Sequence, residues 1–273
     1  MKTELSALSL LRPHTLAEAL TMMRDEGPLT PLAGCTDVYV NLQFGALKAQ
    51  QFIDLWPLAG LRFVSSDKST VRIGALTTYS DIIASAVIQK RLPMLVAAAR
   101  EIGGKQIQNR GTLGGNIANA SPAGDALPVL AAANASIVLQ SAGGERRVAI
   151  TAFYTGYRSS VKRADELIAA IEIPRVEGRQ YWRKVGTRRA QAISKVMCAA
   201  VRGPEVRVAL GSVAATVVRL PRTERMLSAG ATLEDAQASL RDEIQPIDDI
   251  RSTAEYRREV SANLLADFWH QTK

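Results

Sequence analysis

One stretch of the sequence constrains the fold more than any other, the glycine-rich run at residues 110–128. Its four glycines leave the backbone bare, so that N–H groups can approach a ligand closely. Between the glycines lie short hydrogen-bonding side chains and one acid, Asp125. This mixture suits a nucleotide, because amides and hydroxyls bind phosphates and a carboxylate binds a sugar hydroxyl. A second loop of the same character, at residues 31–38, predicts one extended ligand held from two sides.

Length and composition set the class of protein. A chain of 273 residues is long enough for a large core and two or three domains. Its 47% hydrophobic and 22% charged residues exclude a disordered protein, and the 5% aromatic content favours layered helices and strands. The longest apolar run, residues 126–139, is too short to span a bilayer, and the first residues lack the pattern of a secretory signal. We therefore expect a cytoplasmic protein.

Cysteine and histidine are scarce. Cys35 and Cys198 match no metal or iron–sulfur spacing, and His14 and His270 lie near opposite ends of the sequence. A metal site or a histidine-based triad is not expected, so redox chemistry would require a bound cofactor. The formal net charge of +8 favours an anionic cofactor, an acidic partner or nucleic acid. Nucleic acid is not expected, because the repeated aromatic and basic residues of single-strand binders are missing.

Hydrophobic periodicity predicts a mixed α+β chain. Helices are expected at residues 14–26, from about 79, and at 93–102, 126–133, 233–241 and 252–269. Strands are expected at residues 29–32, 52–55, 71–73, 136–140, 147–150, 166–173, 180–185, 194–201 and 206–215. Residues 175–178 have the composition of a connector. This predicts a first domain at 1–174, with subdomains at about 1–55 and 56–174, and a second domain at 178–273.

Neither glycine loop identifies the ligand by itself. The first, at residues 33–37, forms either a nest of N–H groups for a pyrophosphate or an ordinary strand-to-helix turn capped by Thr36 or Asp37. The second contains neither the Gly-x-Gly-x-x-Gly fingerprint of the Rossmann fold nor a P-loop. The full run at residues 106–128 is much more specific than any pair of glycines.

Four sequence features occur together. They are Ala-Gly-Cys-Thr-Asp at 33–37, Ile-Gly-Ala-Leu-Thr-Thr at 73–78, the run at 110–128, and Ile-Glu-Ile-Pro at 171–174 followed by Lys-Val-Gly-Thr-Arg-Arg at 184–189 and Ile-Ser-Lys at 193–195. In combination they resemble the FAD-binding medium subunit of the molybdenum hydroxylases, the group of xanthine dehydrogenase and carbon monoxide dehydrogenase. The resemblance covers nearly the full length, and the last two features are most similar to the xanthine dehydrogenase branch.

The resemblance implies an α+β fold. An FAD-binding domain of the vanillyl-alcohol oxidase/PCMH type, in two α/β subdomains, would be followed by a smaller α+β C-terminal domain, with FAD in the cleft between them. No catalytic side chain and no metal ligand are implied. The implied cofactor-binding residues are Ala33, Gly34, Cys35, Thr36, Asp37, Ile102, Thr112, Gly115, Asn116, Asp125, Ile168 and Lys184. The first five would hold the pyrophosphate through backbone amides, and the three at 112–116 would close on the cofactor.

The other four residues each have a role that the resemblance implies, and three have an ordinary alternative. Asp125 would accept a hydrogen bond from a ribose or ribityl hydroxyl, or it caps the following helix. Lys184 would reach the cofactor and stabilise the reduced flavin, or it is a solvated strand residue. Ile102 would lie near the isoalloxazine ring, or it is a core residue. Ile168 would make a backbone or apolar contact to the flavin.

The sequence departs from the family pattern at Cys35, where relatives usually have glycine, and at Gln191, where some have an acid. A side chain at position 35 requires the backbone to avoid a strongly positive φ or to tolerate strain. The Cys35 thiol is expected to be inert packing. Gln191 leaves the electrostatic tuning of the flavin and the affinity for NAD open. Arg188 and Arg189 line either the flavin entrance or the subunit surface.

The implied function is that of an electron-transfer subunit working with a [2Fe-2S] small subunit and a molybdopterin-binding large subunit. The substrate, a purine or another N-heteroaromatic, would be hydroxylated at molybdenum. Electrons would pass through the iron–sulfur centres to FAD and on to NAD⁺ or another acceptor. The alternative is a self-sufficient FAD-dependent oxidase of the vanillyl-alcohol oxidase type, which needs its own substrate pocket. A third hypothesis, a basic module with a vestigial nucleotide site, predicts salt-sensitive nucleic-acid binding without FAD.

Overall fold

A computed structural model describes residues 6–189 and 191–273. The strands are β1 (Ser9–Leu11), β2 (Thr30–Leu32), β3 (Gln51–Asp54), β4 (Val64–Ser66), β5 (Thr70–Gly74), β6 (Ser136–Ser141), β7 (Gly144–Ala149), β8 (Tyr154–Gly156), β9 (Ser159–Ser160), β10 (Leu167–Pro174), β11 (Arg179–Gly186), β12 (Ser194–Arg202), β13 (Val206–Gly211) and β14 (Val218–Arg219). The helices are α1 (Leu16–Asp25), α2 (Thr36–Phe44), α3 (Tyr79–Ala84), α4 (Ala86–Arg91), α5 (Pro93–Glu101), α6 (Lys105–Arg110), α7 (Leu113–Asn119), α8 (Leu127–Ala132), α9 (Ile150–Phe153), α10 (Pro221–Ser228), α11 (Leu233–Glu243) and α12 (Ala254–Gln271).

The N-terminal sheet is small and parallel, in the order β1-β3-β2. Helix α1 packs its buried face into the core beneath this sheet. It begins after Thr15, whose hydroxyl accepts the backbone N–H of Glu18 and so satisfies one donor at the helix start. Strand β2 ends at Leu32, and residues 33–35 lead directly into α2. The first glycine loop therefore lies at the carboxyl edge of this sheet.

The second sheet is antiparallel, in the order β4-β5-β10-β6-β7. Its central strand β10 is buried along most of its length, because it pairs with a strand on each side and helices cover the sheet. The second subdomain is thus α+β and not the α/β unit that the sequence predicted. The reason is local: β6 and β7 form a hairpin through the turn after Ser141, and hairpin connections give antiparallel pairs.

The third sheet is also antiparallel, in the order β11-β12-β13-β14, and helices α10, α11 and α12 pack against it. Two helices from the first half of the chain, α5 and α8, lie against its other face. Ala199, Val201 and Ala209 of this sheet consequently belong to the same apolar cluster as the second sheet. The C-terminal sheet is therefore held against the rest of the protein by a shared core.

Most of the predicted elements are present within one to three residues of their expected ends, including the helix at Pro93 and the strand that ends at Pro174. The prediction of a long glycine-rich loop is wrong, because much of that stretch forms helices α6 and α7. The strand expected to reach residue 215 ends at Gly211. Helix α10 was not predicted, and α2 was implied only by the alternative of a strand-to-helix turn at residues 33–37. None of the helices within residues 6–189 and 191–273 has both the length and the apolar character needed to cross a membrane.

Candidate functional site

The main candidate site is a cavity of about 400 Å³ between the first two sheets. All the cofactor-binding residues predicted from the sequence line it, except Asp125 and Lys184. The other lining residues are Thr30, Pro31, Val38, Asn41, Leu55, Leu61, Ala75, Leu76, Tyr79, Ile107, Gly111, Gly114, Ala118, Asn119, Lys162, Glu166 and Leu167. The two glycine loops, about eighty positions apart in the sequence, thus face one elongated space.

The first loop presents the start of α2 to this cavity. Cys35 is the N-cap residue with φ 61° and ψ 11°, and no side chain caps the helix. The predicted alternative of a cap from Thr36 or Asp37 is therefore wrong, since both belong to the helix. The first backbone N–H groups of α2, at 36–38, have no hydrogen-bond partner among the described residues. A helix start with open N–H groups binds anions, which suits a pyrophosphate.

The two loops touch each other at Gly34. A Cβ atom on Gly34 would overlap the carbonyl oxygen of Arg110, so the contact tolerates no side chain. The Arg110 side chain lies over the ring of Trp56, with its guanidinium carbon 3.7 Å from the ring centroid. Trp56 follows β3 of the first sheet, so the second loop is held against the first subdomain by this stacking.

The backbone N–H groups at the second loop bond within the protein, whereas its glycines predicted that they would face a ligand. The N–H groups of Leu113 and Gly114 donate to the carbonyls of Thr77 and Ala75, at 3.1 and 2.9 Å. Gly115 donates its N–H to the Thr112 hydroxyl at 3.0 Å. These amides are therefore already satisfied within the protein. The loop offers the ligand side chains and a close approach, because the Thr112 hydroxyl still has a proton to donate.

Asp125 and Lys184 meet beside the cavity, in a buried ion pair with 2.6 Å between carboxylate oxygen and ammonium nitrogen. Their side chains are 10% and 5% exposed. The hydroxyl of Ser194 donates to the other carboxylate oxygen at 2.6 Å. Burial raises the pKa of Asp125, and Lys184 and Ser194 oppose that shift. This arrangement ties β11 and β12 to the end of the second loop.

Both ordinary alternatives for this pair are wrong. Ala126, and not Asp125, is the N-cap residue of α8, and no side chain caps that helix. Lys184 is buried against a carboxylate, so it is not a solvated strand residue. Direct contact of either residue with the cofactor remains a prediction. Ile102, by contrast, ends α5 with its side chain half-buried at the cavity wall.

A second cavity, of about 500 Å³, adjoins the Ile102 side of the site. It is lined by Glu101, Arg183, Lys184, Val185, Gly186, Arg188 and Arg189. Burial raises the pKa of Glu101, and Lys184 opposes the shift. Arg188 donates to the carbonyl of Gln191 at 2.6 Å, which closes a turn next to Gly104. Arg188 and Arg189 therefore line a basic recess at this side of the cofactor cavity.

Tyr79 and Lys162 are two of the lining residues that sequence reasoning missed. Tyr79 is 2% exposed, and its hydroxyl has no hydrogen-bond partner within residues 6–189 and 191–273. Lys162 lies at the cavity in the turn before β10. Tyr79 could have been found from its place directly after the core turn at 73–78. No pattern in the sequence marks Lys162.

The described part of the chain holds no group of three or more His, Cys, Asp or Glu arranged to bind a metal ion. The titratable groups at the site are instead the Asp125–Lys184 pair, Glu101 and the arginines of the basic recess. The arrangement can hold an extended anionic ligand. It does not by itself supply a nucleophile or a general base.

Two family models match the chain. The FAD binding domain in molybdopterin dehydrogenase matches residues 5–176, and the CO dehydrogenase flavoprotein C-terminal domain matches residues 181–272. The first match alone covers more than half of the sequence and contains every residue that lines the main cavity. The cavity and the family model thus identify the same part of the chain.

Named relatives match over nearly the full length. The glyceraldehyde dehydrogenase medium chain of Sulfolobus acidocaldarius is 33% identical, with 92% of this chain and 93% of the relative covered. The xanthine dehydrogenase FAD-binding subunit of Escherichia coli O157:H7 is 31% identical, with 90% and 89% covered. Among solved structures, carbon monoxide dehydrogenase from Hydrogenophaga pseudoflava matches with a TM-score of 0.89, 28% identity and 94% of each chain covered.

Proposed function

The chain belongs to the FAD-binding subunits of the molybdenum hydroxylase family, and on this premise we propose that it passes electrons from [2Fe-2S] centres of a partner subunit to NAD⁺. Its relatives are medium subunits of dehydrogenase complexes, which implies a small and a large partner subunit. The observation that carries the proposal is the basic recess directly beside the cofactor cavity. The relatives give no support to a self-sufficient oxidase.

The cofactor cavity fits FAD. The open N–H groups at the start of α2 suit the pyrophosphate, since they have no partner among the described residues. The buried side-chain oxygen of Asn116 is also without a partner there, at the wall of the same cavity. Bound FAD supplies the redox centre that the protein side chains lack. The share of this chain is to bind and orient it, and to set the charge around it.

The basic recess supports NAD⁺ as the acceptor. Arg183 and Arg189 lie in a cavity next to Ile102, and guanidinium groups bind phosphates well. A phosphate-bearing acceptor held there would reach the Ile102 side of the cofactor cavity. NAD⁺ as the acceptor would support a cytoplasmic location for the complex.

We further propose a purine or another N-heteroaromatic compound as the substrate of the complex. Residues 110–128, 171–174 and 184–195 resemble the xanthine dehydrogenase branch most, and one relative is named a xanthine dehydrogenase subunit. Substrate oxidation itself takes place on the molybdopterin subunit. In this chain, a domain boundary in the connector between Pro174 and Arg179 separates the FAD-binding part from the C-terminal part.

The proposal is tested on the complex co-expressed with its partner subunits. We expect bound flavin in the purified chain, and purine-dependent reduction of NAD⁺ by the complex. The double variant Arg183→Gln/Arg189→Gln is expected to raise KM for NAD⁺ roughly tenfold, because two phosphate contacts are lost. Its rate with an uncharged dye as acceptor should stay the same. Arg225→Gln, on the exposed side of α10, is the matched control.

Three results would contradict parts of this proposal. A purified chain without flavin that cannot be reconstituted would contradict the cofactor assignment. A complex that purine reduces and a dye reoxidises, but NAD⁺ does not, would contradict the acceptor. A complex that NAD⁺ reoxidises after reduction by other substrates, and that no N-heteroaromatic compound reduces, would contradict the substrate class.

A further inference from the structure

One lysine at the cavity wall has no role in the function described so far. Lys162 is half-buried, and its ammonium group donates to the carbonyls of Arg163 and Glu166, at 3.0 and 3.1 Å. An ammonium group has three hydrogens to donate. No described residue accepts the third one. The side chain also lines the cofactor cavity, so its remaining hydrogen is available to a ligand there.

Helix α7 shows at which end of the cavity Lys162 lies. The helix starts just after Gly111, on the side of Ile107 and Ile102. Its last residue, Asn119, accepts a hydrogen bond from Arg158 at 3.0 Å. Arg158 belongs to the β8–β9 hairpin, which leads directly to Lys162. Lys162 is therefore close to the C-terminal end of α7, roughly 10 Å along the helix axis from the Ile102 end.

The two ends of the cavity differ in what can reach them. No described residue after Ile168 lines the cavity, but the C-terminal domain approaches its Ile102 end, where the Lys184 ammonium nitrogen lies 3.5 Å from the carbonyl oxygen of Glu101. The basic recess opens at the same end. The isoalloxazine ring must be accessible to the redox partners, so it belongs there. An extended FAD molecule then places its adenine at the opposite end, beside Lys162.

We propose that Lys162 recognises the adenine ring of FAD by donating its third ammonium hydrogen to a ring nitrogen. The proposal rests on the FAD-binding function and deepens it. The neighbouring wall is apolar, with Leu61, Leu76 and Leu167, which suits the faces of a purine ring. Ile168 belongs to the same end, so its cofactor contact moves from the flavin to the adenine.

Hydrogen bonds to the Glu166 carboxylate hold the turn that carries Lys162 in place. The carboxylate of Glu166 accepts two hydrogen bonds from Arg146, at 2.5 and 2.8 Å, and a third from the backbone N–H of Arg163, at 2.7 Å. Because that carboxylate is occupied, the Lys162 ammonium binds main-chain carbonyls and stays directed along the cavity wall. Burial lowers the pKa of Lys162, and Glu166 opposes that shift; the proposed contact uses the ammonium form, whose third hydrogen the two carbonyls leave available.

The test compares binding of FAD, FMN and ADP to the apo form of the full chain. Lys162→Met removes the donor and keeps the length of the side chain. We expect FAD and ADP to bind about tenfold more weakly, as for loss of one charge-assisted hydrogen bond, while the Kd for FMN stays unchanged because FMN has no adenine. Lys90→Met, at an exposed position of α4, is the matched control and should bind all three ligands normally.

A second measurement compares adenine analogues, first with the wild-type chain and then with Lys162→Met. Of the ADP analogues in which one adenine ring nitrogen is replaced by carbon, one should bind about tenfold more weakly than ADP, and in Lys162→Met that difference should vanish. Equal losses for FAD and FMN, or no loss at all, would overturn the proposal, as would analogues that all bind like ADP. A wild-type chain that binds no FAD would instead contradict the cofactor assignment itself.

Discussion

Asp125 shows that a residue of a cofactor motif can also have a structural contact that the motif does not indicate. The resemblance assigned it a sugar hydroxyl of the cofactor. In the structure both carboxylate oxygens are held by the C-terminal domain, one by Lys184 and the other by Ser194, each at 2.6 Å. The residue therefore joins two parts of the protein next to the Ile102 end of the site. Its direct contact with the cofactor stays a prediction.

The buried pair leads to a prediction about stability and pH. Lys184→Met leaves the Asp125 carboxylate buried without its cation, which is expected to lower the free energy of unfolding by about 3 kcal/mol near pH 7. Burial already raises the pKa of Asp125, and Lys184 is the main group that opposes the shift. An acid whose folded-state pKa is raised stabilises the fold at low pH and loses that contribution as pH rises through this pKa. The variant should therefore lose more stability than wild type as pH rises above the ordinary pKa range of an Asp carboxyl.

Urea unfolding of the apo chain at several pH values measures this effect. The double variant Asp125→Asn/Lys184→Met removes both charges and should regain part of the loss, with little pH dependence from this site. If Lys184→Met were as stable as wild type at every pH, the pair would not be the electrostatic link described above.

The structure decides between the two backbone conformations that the sequence left open at Cys35. A side chain there required either an ordinary φ or tolerated strain. The residue has φ 61°, so the strained alternative is the one observed, at a cost of about 1–2 kcal/mol for a non-glycine residue. Burial raises the pKa of its thiol, opposed by Arg110, which agrees with an inert packing role.

At the scale of the element, helices α2 and α7 at the two glycine loops contribute to the site in different ways. Thr112 caps α7 and also lines the cavity. Thr112→Ala is expected to cost about 1 kcal/mol of stability through the lost cap, and in addition to weaken FAD binding several-fold through the lost hydroxyl donor. Thr112→Ser keeps both functions and should resemble wild type.

Thr232→Ala is the control for this prediction. Thr232 caps α11, away from the cavity, and its hydroxyl accepts the N–H of Asp235 at 3.1 Å. The same loss of a cap is expected there, without a change in the Kd for FAD. Thermal melting of the apo chains and flavin fluorescence titration measure the two quantities. Equal FAD affinity in Thr112→Ala and wild type would show that the hydroxyl serves the helix alone.

The elements that sequence reasoning found and missed differ in a physical way. Strand β10 and helix α5 are long, apolar and bounded by Pro174 and Gly103, so periodicity and end signals agree. Helix α7 has seven residues and contains Gly114 and Gly115, which have low helix propensity. It forms because neighbouring strands and turns accept its first N–H groups, for example at Ala75. Such tertiary support leaves no trace in local sequence.

At the scale of the whole molecule, the site depends on contact between two subdomains at Gly34. Gly34→Ala is expected to push the loops apart, because the new methyl group would overlap the carbonyl oxygen of Arg110. We expect more than about tenfold weaker FAD binding and a loss of about 1–3 kcal/mol of stability from overpacking. Flavin content of the purified chain and its melting temperature are the measurements.

Gly60→Ala is the matched control, since a Cβ atom there would meet nothing within 4 Å. It should retain flavin and stability. If Gly34→Ala retained both as well, the two loops would have to move apart without cost, and the contact would not define the site. The glycine at 34 could be singled out from the sequence, but its contact with Arg110 depends on how the subdomains pack.

The loop residues at 33–37 and 112–116 in the main cavity were predictable because backbone loops that bind phosphates need particular residue types. Thr112 and Asn116 belong to such a loop, and they do lie at the cavity. Lys162 and Tyr79 lie there only because distant strands and helices bring them in. The Asp125–Lys184 pair also depends on tertiary packing, since β11 must lie beside the second loop before the two charges can meet.

The unsatisfied start of α2 has a consequence for amide hydrogen exchange. In the apo chain, the N–H groups of Thr36, Asp37 and Val38 have no acceptor among the described residues and should exchange with solvent quickly. The amides of Leu113 and Gly114 are bonded without any ligand and should exchange slowly throughout. Adding FAD should therefore slow exchange at α2 far more than at α7, which mass spectrometry of deuterated peptides measures. Bound FAD would therefore supply acceptors for the first N–H groups of α2, whereas those of α7 already have acceptors within the protein.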